Sequence, residues 1–217
     1  MELLNVLTAR SVWLFDVAEL NPKGKSVFPE LFEWLKDTYN FEKYPKSVED
    51  VDETKSLVFS RGNYQVKEEI FVDVELKIYK DGLIASTQSS TRYSDAFLHD
   101  VLKTLSQEYS LRYEPQMVRV KWYLSELHVR SQKNLGVINP QLDEFAKKIS
   151  QSPGLQFEFA GISFWPRQAF PPLTISGFSL ERKINTDRNE NKYFSRAPLH
   201  TDDHFRLLEE IEMAFMS

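Results

Sequence analysis

The 217-residue chain has no cysteine, only seven glycines, no long apolar run and no excess of positive charge. Each of these absences removes a class of protein. Without cysteine there are no disulfides, thiol nucleophiles, iron–sulfur clusters or thiolate-held zinc. A usual glycine share of roughly 7% would give about fifteen; seven leave few of the backbone conformations that phosphate loops, nucleophile elbows and dinucleotide folds take from glycine. No stretch reaches the ~18 apolar residues of a membrane span. Met1 to Phe15 lacks the basic leading region of a signal peptide and carries Glu2 and Arg10. Neither a membrane segment nor a signal peptide is expected, and the chain reads as cytoplasmic. Twenty-seven basic against thirty-two acidic side chains give a net charge of −5, which disfavours a phosphate backbone as partner.

What is present is a core-forming chain rich in rings. Hydrophobic residues make up 41% and charged residues 27%, a globular balance, and the aromatics are sixteen Phe, nine Tyr and four Trp. A chain of this length buries a core without metals or disulfides.

Periodicity separates helices from strands. Phe28, Leu31, Phe32, Leu35 and Tyr39 recur at three- and four-residue spacing and predict a helix, with Pro29 in its first turn. Phe97, Leu98, Val101, Leu102, Leu105 and Tyr109 predict a second, starting at Ser94-Asp95. Asn139-Pro140 opens a third, and Thr201 with Asp202 and Asp203 opens a fourth. Strands are expected at Val12 to Val17, Tyr64 to Tyr79 (with a short one before it at Leu57 to Phe59), Leu83 to Ser90, Met117 to Val129, Leu155 to Phe159 and Leu173 to Leu180. Asp81-Gly82 is a hairpin turn and Gly161 a bulge. Lys183 to Lys192 reads as a charged loop. The expected fold is α+β: mostly antiparallel sheet with helices packed on one side. Its first lobe follows the split β-α-β-β-α-β, ferredoxin-like order, and a related second lobe follows. One continuous unit over 1–217 is expected, with lobes at 1–115 and 116–217.

Four segments carry chemistry-bearing residues. Glu19-Leu-Asn-Pro-Lys-Gly24-Lys25-Ser26 resembles a P-loop in three positions, but Glu19 stands where glycine is required and would repel phosphate. Asp73, Glu75 and Lys77 lie on one face of a strand, similar to the acid and Glu-x-Lys set of restriction-endonuclease-like nucleases, which implies a Mg²⁺ site. The same pattern arises on any wet strand face, and Arg119 and Lys121 on a neighbouring strand would turn it into cross-strand ion pairs. His200, Asp203 and His204 have zinc-helix spacing, similar to zincins in the His-x-x-x-His interval alone. His99 and His128 stand alone.

The fourth segment runs from Phe164 to Pro172. Phe164, Trp165, Arg167 and Phe170 combine the residue types that dominate interfaces with three prolines that keep the segment out of regular pairing. No catalytic residue and no cofactor is assigned. The expected role is a non-enzymatic interaction or assembly protein, self-associating or bound to a protein partner through those four residues. The alternative is a metal-dependent hydrolase or nuclease using Asp73, Glu75 and Lys77, or His200, Asp203 and His204.

Overall fold

The first strand, β1 (Glu2–Leu14), begins well before the apolar run at Val12, because its early residues are half-exposed and carry no core stripe for a pattern to reveal. The computed structural model describes residues 1–24, 28–46, 56–132, 134–135, 140–150, 156–168 and 175–214. Helix α1 (Phe28–Tyr39) is followed by three strands in succession, β2 (Leu57–Lys67), β3 (Ile70–Tyr79) and β4 (Gly82–Thr87), and then by α2 (Thr91–Glu108). The second half consists of β5 (Val120–Arg130), α3 (Pro140–Ile149), β6 (Gly161–Phe164), β7 (Phe178–Arg182), β8 (Lys192–Ala197) and α4 (Thr201–Ala214). The result is an α+β fold with antiparallel strand pairs and four helices. No helix among the described residues is long and apolar enough to cross a membrane.

Several expected elements change. The long strand Tyr64 to Tyr79 is two strands, reversing at Glu68–Glu69, where Glu69 takes φ 62°. No glycine, asparagine or proline marks that turn, so turn chemistry does not announce it. The first half is therefore β-α-β-β-β-α rather than β-α-β-β-α-β, and the second half repeats that order. Helix α2 starts earlier than Ser94: Ser90 is its cap and accepts a hydrogen bond from the Arg92 backbone N–H at 3.2 Å. Strand β8 occupies the end of the expected charged loop and the residues after it.

The chain forms two compact units, Thr8–Leu124 and Met1–Leu7 with Ser125–Ser217. In the first, strands run in the order β2-β3-β4-β1. Ala9, Ser11 and Trp13 of β1, Leu83 and Ala85 of β4, Val74 and Leu76 of β3, and Leu57 and Phe59 of β2 are buried against Phe32 and Leu35 of α1 and Phe97, Leu98, Val101 and Leu102 of α2. Much of the aromatic surplus is spent here: the Tyr39 and Phe97 rings lie 4.9 Å apart, Phe41 and Phe59 5.5 Å, and Phe32 and Phe59 5.7 Å. The Phe41 ring presses so closely on Gly62 that a β-carbon there would collide with it. The opposite sheet face mixes polar and apolar side chains, with Arg10 Nε donating to Ser86 Oγ at 3.1 Å and Lys77 near Glu75 at 3.7 Å.

In the second unit β5, β8, β7 and β6 are hydrogen-bonded in that order. Leu127, Val129, Leu180 and Tyr193 pack under Leu208 of α4. Glu212, at the end of the same helix, is buried, pairs with the Met1 amino group, and accepts from Ser131 Oγ at 2.6 Å and the Gln132 backbone N–H at 2.9 Å. Burial pushes this carboxyl up, but its hydrogen bonds and the positive amino group outweigh that and hold it below the ordinary carboxylate value.

Candidate functional site

Strand β6 is the outer strand of the second unit's described sheet, paired on one side to β7 with Gly161 opposite Glu181, Ile162 opposite Leu180 and Phe164 opposite Phe178. Gly161 is not a bulge. It sits in register, and its hydrogen is needed because a β-carbon would run into the Leu180 carbonyl oxygen. The segment before it, residues 156–160, is not a strand, so the alternation of Phe157 and Phe159 has no core face to serve. Phe157 is 47% exposed and Phe159 half-buried.

The strand ends in exposed rings. Phe164 is 63% and Trp165 77% exposed. One side of Phe164 rests near the Phe178 ring, with centroids 5.8 Å apart, and Phe178 in turn meets the His204 ring edge-on at 6.2 Å. Thus the core anchors the inner ring and leaves Phe164 and Trp165 facing solvent. Arg167 is exposed beside them, and Phe170 lies outside the described residues. The same unit exposes Phe145 and Ile149 on α3, at 55% and 56%. The end of α3 is tied to the strand's approach by Ser150 Oγ, which accepts from the Phe157 backbone N–H at 2.8 Å. Single exposed apolar residues are ordinary; several large ones at a sheet edge mark an interaction surface.

The carboxylate set is placed differently from expectation. The neighbours of β3 are β2 and β4, which put Asn63 opposite Asp73, Ser86 opposite Glu75, and Val58 and Ile84 beside Lys77. Neither strand supplies a second acid. Arg119 and Lys121 are not beside them: Arg119 pairs with Glu19 at 2.9 Å and Lys121 with Asp95 at 3.6 Å. The P-loop-like lysine and serine, Lys25 and Ser26, lie outside the described residues.

The histidine pair does not present two free rings. His200 precedes α4 and its carbonyl accepts the His204 backbone N–H at 2.8 Å. Asp203 pairs with Arg206 at 3.1 Å. His204 is fully buried, with Nδ1 2.7 Å from Ser125 Oγ and Nε2 2.8 Å from Ser195 Oγ, so both nitrogens are engaged by serines. Burial pulls its pKa down to about 4, so the ring is neutral at pH 7. Ser195 also donates to the Ser179 carbonyl at 2.7 Å, while the Ser125 contact to the Leu199 carbonyl is longer, 3.1 Å. In the neutral ring one nitrogen donates to its serine and the other accepts from its serine. A serine–histidine pair usually invites a catalytic reading, but full enclosure leaves no substrate a path to it, and its work is to join β5, β8 and α4. Among the described residues no three His, Asp or Glu side chains gather as a metal site. His128 Nδ1 lies 3.0 Å from Asn5 Oδ1, and the His99 ring stands edge-on to Tyr113.

Strand pairing outside the aromatic edge reveals residues that no motif signalled. Glu126 is held by Arg196 at 2.6 Å and Glu2 by Arg130 at 3.1 Å, so acids and bases alternate over the second unit's polar strand face. No family model matches the chain, and no curated protein matches it. Among solved structures it is similar to Methanococcus jannaschii TBP, at 15% identity and a TM-score of 0.44, over 99% of this chain and 97% of that one. A likeness of that degree carries no functional argument.

Proposed function

We propose that the chain is a non-enzymatic, cytoplasmic interaction protein that associates with a second copy of itself through the outer edge of β6. Phe164, Trp165 and Arg167 form the contact surface. The observation that carries this reading is the exposure of Phe164 and Trp165 at the end of an outer strand. An outer strand offers unpaired backbone groups along one side, and a second β6 laid against it supplies their partners, while the rings bury one another. The repeat of β-α-β-β-β-α along the chain supports two related lobes. Acid–base pairing on the polar strand faces, such as Glu126 with Arg196, takes up cations that phosphates would need, which favours protein over nucleic acid as partner.

Light scattering tests it. The wild type is expected at about twice 25.5 kDa. Loss of a central aromatic anchor costs roughly 2 kcal/mol or more, which is about thirty-fold in affinity. The Phe164→Ala, Trp165→Ala double variant is therefore expected to run as a monomer with an unchanged circular dichroism spectrum. A wild type that stays monomeric at high micromolar concentration, or a double variant that keeps the larger mass, defeats the proposal.

A further inference from the structure

The Thr8–Leu124 unit contains a cavity of about 80 Å³ between its sheet and its two helices. Protein interiors close on themselves and leave few voids larger than a water molecule. This one is larger than that, and its lining is apolar apart from Asn21. Leu76 of β3 and Val101 and Leu102 of α2 form its inner wall and are fully buried. Val17, Asn21 and Ile78 are the partly exposed members, so the way in lies beside the turn at Val17–Leu20.

We propose that this cavity is a binding site for a hydrocarbon group, either a small apolar molecule or the alkyl end of a larger one. Three observations select that class. No charged side chain among the described residues lines the cavity, so an ionic ligand would lose its hydration with nothing to replace it. Water is a poor occupant for the same reason, since it needs two to four polar partners and the wall supplies one polar residue. Most of the lining is buried, which admits a small molecule and keeps out a protein surface. This site is in a different unit from the β6 edge and does not depend on it.

The test uses the full chain and two probes, benzene for a free apolar solute and octanoate for an alkyl end, read by the methyl NMR signals of Leu, Ile and Val. Saturable shifts confined to lining methyls such as Leu76, Leu102 and Ile78 are expected. Benzene alone shifting them identifies a closed site for free solutes; octanoate shifting them as well identifies an alkyl-chain site. Val101→Phe, which fills the void, is expected to fold, to melt no lower than wild type and to weaken binding at least ten-fold. Val101→Leu fills it more gently and is expected to weaken binding in the same direction. No shift with either probe up to its solubility limit overturns the proposal. So does unchanged binding in Val101→Phe, or a loss of folding in both variants, since the added atoms would then have had no space to occupy.

Discussion

Between pH 6.5 and pH 4 the protein is expected to lose about 3 kcal/mol of stability through His204, a contribution that His204→Gln removes. The ring titrates near its ordinary value of 6.5 when unfolded and near about 4 when folded, because burial disfavours the charged form. In that window the unfolded chain binds more protons than the folded one, so stability rises with pH. It is complete above 6.5 and gone at about 4. A difference of about 2.5 units at 1.36 kcal/mol each sets the size. Glu212 acts in the same direction at lower pH: its depressed carboxyl adds stability above the ordinary carboxylate value, and that part is lost as pH falls through its folded value. Urea midpoints measured at pH 7, 6, 5 and 4.5 separate the two. In the His204→Gln variant the side-chain amide keeps a donor and an acceptor for the serines but cannot be protonated in this range, so the variant keeps only the slope contributed by His128, whose pKa burial and the Lys183 charge also lower, and by Glu212 at lower pH. At pH 7 His204→Ala is expected to cost about 2–4 kcal/mol, because it leaves an imidazole-sized void and removes the hydrogen-bond partner that Ser125 and Ser195 share. A wild-type midpoint that does not fall from pH 6.5 to pH 5 rules this account out.

His204 also shows where legibility in the sequence stops. Its apolar neighbours on α4, Phe205, Leu208 and Ile211, keep helical spacing, and the helix they predict is the one observed. Helix α1 and the proline start of α3 were legible for the same reason. What makes the histidine inert toward metal is its pair of serines, one 79 residues away and one nine, brought to it only by the pairing of β5 with β8. Strand β8 itself escaped because the residues it buries, Tyr193, Ser195 and Ala197, include a serine and an alanine, and its outward residues are Lys192, Phe194 and Arg196. Core-facing serines follow from the polar ring packed over them, a tertiary fact that no local period encodes. Similarly, prolines and aromatics drew notice to Phe164 and Trp165, but their exposure depends on β6 being an outer strand. The cavity has no local signature at all, since its lining residues read as ordinary core and a missing volume is a property of the packed whole.

At Trp13, one of the fully buried aromatics, replacement by alanine is expected to cost about 3–5 kcal/mol. The ring is 1% exposed within the Thr8–Leu124 unit. Its Nε1 donates to Asp95 Oδ1 at 2.7 Å, and the Lys121 ammonium sits 3.7 Å above its face. Asp95 also accepts from Tyr123 OH at 3.3 Å and lies 3.6 Å from Lys121, so one carboxylate gathers three donors from β1 and β5 onto α2. Burial, followed by the Asp95 charge and hydrogen bond, pushes the Tyr123 hydroxyl up to about 12. Two forces therefore meet at Trp13, apolar burial and a charge-assisted hydrogen bond, and they separate by substitution. Trp13→Phe retains most of the buried ring and removes the N–H; it is expected to cost about 1–2 kcal/mol, the lower part of the range for a bond to a charged acceptor because Asp95 is partly solvated. Asp95→Asn keeps an acceptor for the indole and removes the charge, so it is expected to bring the Tyr123 pKa part of the way down, burial accounting for the rest. In a double-mutant cycle with urea midpoints, Trp13→Phe and Asp95→Ala are expected to be non-additive by about 1 kcal/mol. Strict additivity would mean that Asp95 contributes nothing through Trp13, and that the tryptophan is held there by packing alone.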